Sequence, residues 1–246
     1  MLNLIKYEFS KKYKMFTVFL IATVLANIYF TVKLGQAGFA PLAVFLALGL
    51  LVLYVIDVVQ MYSKDINKKT GYMVFMTPNS GYKIIISKIL TALIEGFVML
   101  TFYIVVLLLN TLLIYGEANN IVILNTTFNS AEFIQHLFIV LFAAILYLVQ
   151  FIMVVYTALT LSKSIFANSK YKGIISFGFF LVINYITTSA YWTLYRVIGF
   201  NMHSFSGNIS PAMLLKLFSP AMLLAVVLSS VLIAGSGYLL EKKINL

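Results

Sequence analysis

The sequence predicts an all-α integral membrane protein with six transmembrane helices, both termini in the cytoplasm and an N-terminal amphipathic interfacial helix, and three observations predict it. First, 62% of the 246 residues are hydrophobic and only 10% are charged, whereas a soluble domain carries about a quarter charged residues. So few charges cannot cover a water-facing surface, and most of the exterior must face lipid. Second, six apolar stretches approach or exceed the roughly 20 residues a helix needs to cross the hydrocarbon core. Third, the cations are distributed asymmetrically along the chain, as helices inserted with a fixed orientation require.

In chain order, MLNLIKYEFSKKYK places Lys6, Lys11, Lys12 and Lys14 ahead of an apolar run. No convincing small-residue cleavage site follows, so residues 1–14 are read as a retained interfacial helix with Leu4, Ile5 and Phe9 on the membrane surface. The expected spans run from Met15 to Val32, Phe39 to Gln60, Ile89 to Tyr115, Phe133 to Leu161, Gly173 to Ala190 and Leu217 to Leu240. Runs such as LAVFLALGLLVLYVI lack the alternation of a barrel strand, so helices are the reading. With the N-terminus inside, the cytoplasmic segments hold Lys6, Lys11, Lys12, Lys14, Lys64, Lys68, Lys69, Lys83, Lys88, Lys163, Lys170, Lys172, Lys242 and Lys243. Lys33, Arg196 and Lys216 fall outside. Topology thus accounts for the net charge of +10 without a nucleic-acid partner. The chain is read as one membrane domain with loops, 1–246, in contact with the bilayer throughout.

Residues 61–88, MYSKDINKKTGYMVFMTPNSGYKIIISK, form the longest cytoplasmic segment. Tyr72, Phe75 and Met76 fall at i, i+3 and i+4 and give a short helix one apolar face. Pro78 disfavours helix at Thr77, and Asn79 to Gly81 reverse the chain before Lys83 and Lys88 open the third span. Such a face either lies among lipid headgroups or docks a cytosolic partner.

At these residues the chain resembles the permease subunits of ABC-2 type transporters, whose membrane half is separate from its ATPase. Members begin with a basic amphipathic helix like residues 4–16. They carry after the second span an acidic, glycine, aromatic run closing on a Pro, here Asp65, Gly71, Tyr72, Phe75, Thr77 and Pro78. The likeness covers the whole chain in topology and about its first hundred residues in motif. It implies a type V exporter-like architecture in a bacterial cell membrane, with a second permease copy or a related permease as partner. It also implies a cytoplasmic ABC ATPase that binds Asp65, Lys68, Lys69, Gly71, Tyr72, Phe75, Met76, Thr77 and Pro78 as a coupling helix. Small unfused permeases of this kind include exporters of antimicrobial and cytolytic peptides such as phenol-soluble modulins, so a hydrophobic or amphipathic cargo (peptide, drug or lipid-like) is implied.

No enzyme signature accompanies this pattern. The chain has no cysteine and no G-x-x-x-x-G-K-[ST] run, so no cofactor is expected on it, and ATP and Mg belong to the partner ATPase. His136 and His203 lack ligand spacing, which makes a metal site unexpected. Asp57 and Glu95, the acids within the spans, each lie seven residues from Lys64 or Lys88, about 10 Å inside the cytoplasmic face. With Asn110, Asn184 and Tyr185 they form a candidate substrate pathway. Structural hydrogen bonding is the competing role for the amides, and an ion-coupled transporter, a channel or a non-transporting immunity or anchor protein the competing function. Residues 190–216, rich in Tyr191, Trp192, Tyr195, Phe200 and Phe205, are expected to form an external, re-entrant gate or an aromatic belt.

Overall fold

The computed structural model describes residues 2–67, 80–115, 130–166, 169, 171–198 and 211–242. Five helices result: α1 (Leu2–Asn67), α2 (Gly81–Tyr115), α3 (Ser130–Ile165), α4 (Lys172–Ile198) and α5 (Pro211–Lys242). Each contains a segment long and apolar enough to cross a bilayer, namely Ala43–Ile66, Gly81–Leu107, Phe138–Ile165, Lys172–Ile198 and Leu215–Glu241. Large apolar side chains such as Phe45, Phe97, Phe138, Ile174 and Leu223 stand exposed along them. That much apolar surface is stable only in lipid or against another chain. The chain is a multi-pass helical membrane protein.

The expected first span contributes only a shorter apolar segment among the described residues, Leu20–Phe30. It lies within α1, which continues unbroken where a loop was expected around Lys33 to Gly38. Gly35 and Gly38 weaken a helix without ending it, so the local sequence does not impose the turn. As a rod, α1 would measure about 99 Å at 1.5 Å per residue, some three times the ~30 Å hydrocarbon core. A double crossing by this segment needs a reversal that the continuous helix lacks. Val18, Ile21, Leu25 and Ile28 are nevertheless uncovered by protein, as a lipid-facing helix requires.

Two other boundaries shift. The cytoplasmic segment expected over 61–88 is narrower, because α1 extends to Asn67 and α2 begins at Gly81 rather than Ile89. The external segment expected over 190–216 is narrower too, since α4 reaches Ile198 and α5 starts at Pro211. Proline suits a first helical turn, where its missing N–H would have no partner.

The helices divide into two compact units. Unit 1 comprises residues 1–61 and 90–126, so α1 up to Met61 and the greater part of α2 pack as a hairpin. Its buried apolar residues include Leu50 and Val58 on α1 and Ala92, Met99 and Val106 on α2. Unit 2 comprises residues 62–89 and 127–246: the adjoining ends of α1 and α2 together with α3, α4 and α5. Within it, α3 packs most extensively against α5 and next against α4. From Ile152 to Ala158 every residue of α3 is buried, the signature of a helix enclosed on all sides. Ala143 and Ala158 on α3 and Ala221 and Ala225 on α5 are buried, small residues of the type that lets membrane helices approach closely.

The absence of native cysteine makes topology directly measurable. In a six-span protein, Gly38→Cys reacts with a membrane-impermeant maleimide added to intact cells, while Lys14→Cys reacts only after permeabilisation. Reaction of both from the same side would show that the first half of α1 does not cross.

Candidate functional site

The most unusual chemistry in the structure sits at the base of the 68–79 segment, inside unit 2. Tyr62, Asp65 and Ile66 at the end of α1 are all buried, facing α2 residues Ile84, Ile85, Lys88 and Ile89, buried as well. Lys88 Nζ donates to Asp65 Oδ2 at 2.5 Å, with both side chains about 2–3% exposed. A buried carboxylate or ammonium alone would cost several kcal/mol of lost hydration, and direct pairing is what makes the burial tolerable. The pair closes a loop of 23 residues.

One turn before Asp65, the Tyr62 ring stacks on Tyr156 of α3 with centroids 4.3 Å apart and planes 18° from parallel. Both tyrosines are wholly buried, and the Tyr62 hydroxyl has no hydrogen-bond partner among the described residues. Packing against α3, rather than the polar end of the ring, therefore holds Tyr62 in place. On the other side of the 68–79 segment, the N-terminus of α2 meets α5. Gly81 N–H donates to Glu241 Oε1 at 2.9 Å, and Ser80 C=O accepts from Ile84 N–H at 3.2 Å. The first N–H groups of a helix lack internal partners and carry the positive end of its dipole, so a carboxylate from α5 caps α2 well. Two glycines make room at this contact, Gly237 with far less space to spare than Gly81. A Cβ on Gly237 would lie 2.3 Å from Tyr82 Cε1, and one on Gly81 would lie 3.1 Å from the Glu241 side chain.

The base of the segment is thus held at three points: by an ion pair within itself, by a ring stack on α3 and by a carboxylate cap from α5. Asp65, grouped by the sequence with the partner-binding residues, is inside this base and is turned toward Lys88. Lys88 does not mark a membrane boundary as a solvated cation but is the buried partner of that acid. Lys68, Lys69, Gly71, Tyr72, Phe75, Met76, Thr77 and Pro78 lie outside the described residues. Tyr62, Tyr156, Gly237 and Glu241 were not singled out by the sequence. Their signal is weak, since a tyrosine one turn before an acid and a glycine in an apolar helix are common.

The residues assigned to a substrate pathway separate into different roles. Asn110 is buried and exchanges two hydrogen bonds with Asn27 of α1, at 2.9 and 2.8 Å, so it joins two helices. In the same unit, Glu95 is buried and Asp57 half-buried, and both lie near enough to Tyr54 to act on it electrostatically. Tyr54 lies over Gly96, where an added Cβ would meet its ring at 3.3 Å, and donates to Ala92 C=O at 3.1 Å. Asn184 and Tyr185 on α4 are exposed and belong to unit 2, not to the unit of the two acids.

Among the described residues no group of His, Cys, Asp or Glu is arranged to hold a metal ion. The side chain of His136 and the whole of His203 fall outside the description. Compared with models of protein families, with curated proteins and with solved structures, the chain matches none.

Two outcomes follow for unfolding in detergent. Asp65→Asn removes the charge opposite Lys88 and costs about 3–5 kcal/mol, while Asp65→Leu with Lys88→Met recovers most of that loss. Asn27→Ala removes both hydrogen bonds to Asn110 and costs about 1–2 kcal/mol, the scale of interhelical hydrogen bonding in a membrane protein. Both are measured by titration with denaturing detergent.

Proposed function

We propose that the chain is the membrane-spanning permease subunit of an ATP-driven exporter of the ABC-2 type, working with a separate cytoplasmic ATPase. In this reading the chain has six spans in a bacterial plasma membrane with both termini inside. The observation that supports it most is the triply held base of the 68–79 segment. The segment's sequence offers an aromatic face formed by Tyr72, Phe75 and Met76, with Lys68 and Lys69 beside it. Aromatic anchors with a charged rim are a common form of protein docking site. A docking element passes force to the membrane only if its attachment is stiff. Here a push on the segment bears on α1 and α2 through Asp65 and Lys88, on α3 through Tyr156 and on α5 through Glu241.

The chain then binds and moves cargo while ATP and Mg are handled by the partner, since it carries no phosphate-binding loop of its own. A second permease, identical or related, completes the pathway. The cargo is hydrophobic or amphipathic, in keeping with a chain whose polar residues within the membrane are few.

A second reading has an observation of its own. Glu95, buried beside Tyr54 with Asp57 nearby, is the type of intramembrane acid that carries protons or cations in ion-driven transporters. Co-purification in detergent with the ATPase encoded beside it separates the two. The wild-type chain is expected to retain the ATPase, and Tyr72→Ala with Phe75→Ala to lose at least nine-tenths of it while remaining folded. Undiminished retention by the double variant removes the docking role. Absence of any ATPase together with proton- or cation-dependent uptake that Glu95→Gln abolishes would establish the ion-driven reading.

A further inference from the structure

The outward face of α4 carries a feature that neither the docking segment nor the acids explain. Tyr185, Thr188, Ser189, Trp192, Thr193 and Arg196 line a groove of about 530 Å³. Their spacing of three or four residues puts them on one side of the helix. An adjoining side is fastened to α3, where Tyr191 O–H donates to Gln150 Oε1 and the Tyr191 ring lies 5.8 Å from that of Tyr147; Tyr195, at one edge of the groove, also meets Tyr147. The rest of the groove is open, with Tyr185 76% and Trp192 75% exposed.

Three properties of this face select its occupant. From Tyr185 to Arg196 is eleven residues, about 16 Å of helix, close to half of a ~30 Å hydrocarbon core. The groove thus has the depth of one lipid leaflet. Along that length two of the hydroxyls are satisfied by their own helix, Ser189 Oγ donating to Ile186 C=O and Thr193 Oγ1 to Ala190 C=O, each at 2.8 Å. Much of the remaining wall is the aromatic surface of Tyr185 and Trp192. At its end stands Arg196, the sole arginine among seventeen cations. The lysine distribution puts it on the outer side, where cations are disfavoured and only Lys33 and Lys216 accompany it. A guanidinium presents a planar fork matched to phosphate oxygens, and Trp192, one turn earlier, adds an indole N–H at headgroup level.

We propose that this groove is a binding site for one anionic phospholipid of the outer leaflet. Its phosphate pairs with Arg196 and Trp192, and an acyl chain lies along the α4 face toward Tyr185. The site does not depend on the transporter reading, and its test is independent of any ATPase.

Native mass spectrometry of the purified chain, exchanged into micelles with defined lipid, tests it. With phosphatidylglycerol the wild type retains one tightly held lipid, and at equal concentration phosphatidylcholine occupies the site at least fivefold less. Arg196→Gln reduces phosphatidylglycerol retention at least fivefold, and Arg196→Lys falls between, because the charge stays and the fork is lost. Lys216→Gln, removing another exposed outer cation, leaves retention unchanged. Equal retention by Arg196→Gln, equal binding of the two lipids, or an equal loss in Lys216→Gln would each overturn the site, the last by showing mere attraction to surface charge. Unchanged unfolding of Arg196→Gln in detergent confirms that any loss is local.

Discussion

The buried pair of Asp65 and Lys88 is the constraint on which the organisation of unit 2 rests. Two ionised groups are withdrawn from solvent at the ends of two largely apolar helices, and each is tolerable only while the other is in reach. This fixes the exit of α1 relative to the entry of α2, whatever the 68–79 segment between them does. Stacking of Tyr62 on Tyr156 then seats that junction on the most deeply buried stretch of α3. The cap on Gly81 from Glu241 adds α5. One ion pair, one ring pair and one cap bring four helices to a common point.

The polar residues of unit 1 follow a different logic. Asn27 and Asn110 satisfy one another, so the cost of two amides in an apolar surrounding is removed in a single contact. Tyr54 mediates around Glu95 and Asp57, made possible by the missing side chain at Gly96. The Asn27–Asn110 pair and the Tyr54 bond to Ala92 C=O each tie α1 to α2.

Much of this was readable from the sequence, and the limits have physical causes. Helical, membrane-embedded character follows from composition and run length, which dominate any local preference. The start of α2 was placed at Ile89 rather than Gly81 because Lys88 was assumed to be solvated. Lys88 is buried because Asp65 is opposite it, and a contact across 23 residues leaves no local trace. The unbroken course of α1 was missed because Gly35 and Gly38 signal a turn only weakly. Asn110 was correctly counted among the interior polar residues, but its role depended on Asn27, which lies 83 positions away. Over 68–79 the pattern of Tyr72, Phe75 and Pro78 describes a surface in sequence alone, and the structure describes the helices on either side of it.

The cap on α2 also has a consequence for biosynthesis. Gly81 is made early and Glu241 late in the same chain, so the first N–H of α2 waits through the insertion of α3, α4 and nearly all of α5 before its carboxylate arrives. Until then the base of the 68–79 segment is held only from the side of α1 and α3. The contact therefore forms only once α5 has been made, and it joins an early helix to one made after two others have been inserted.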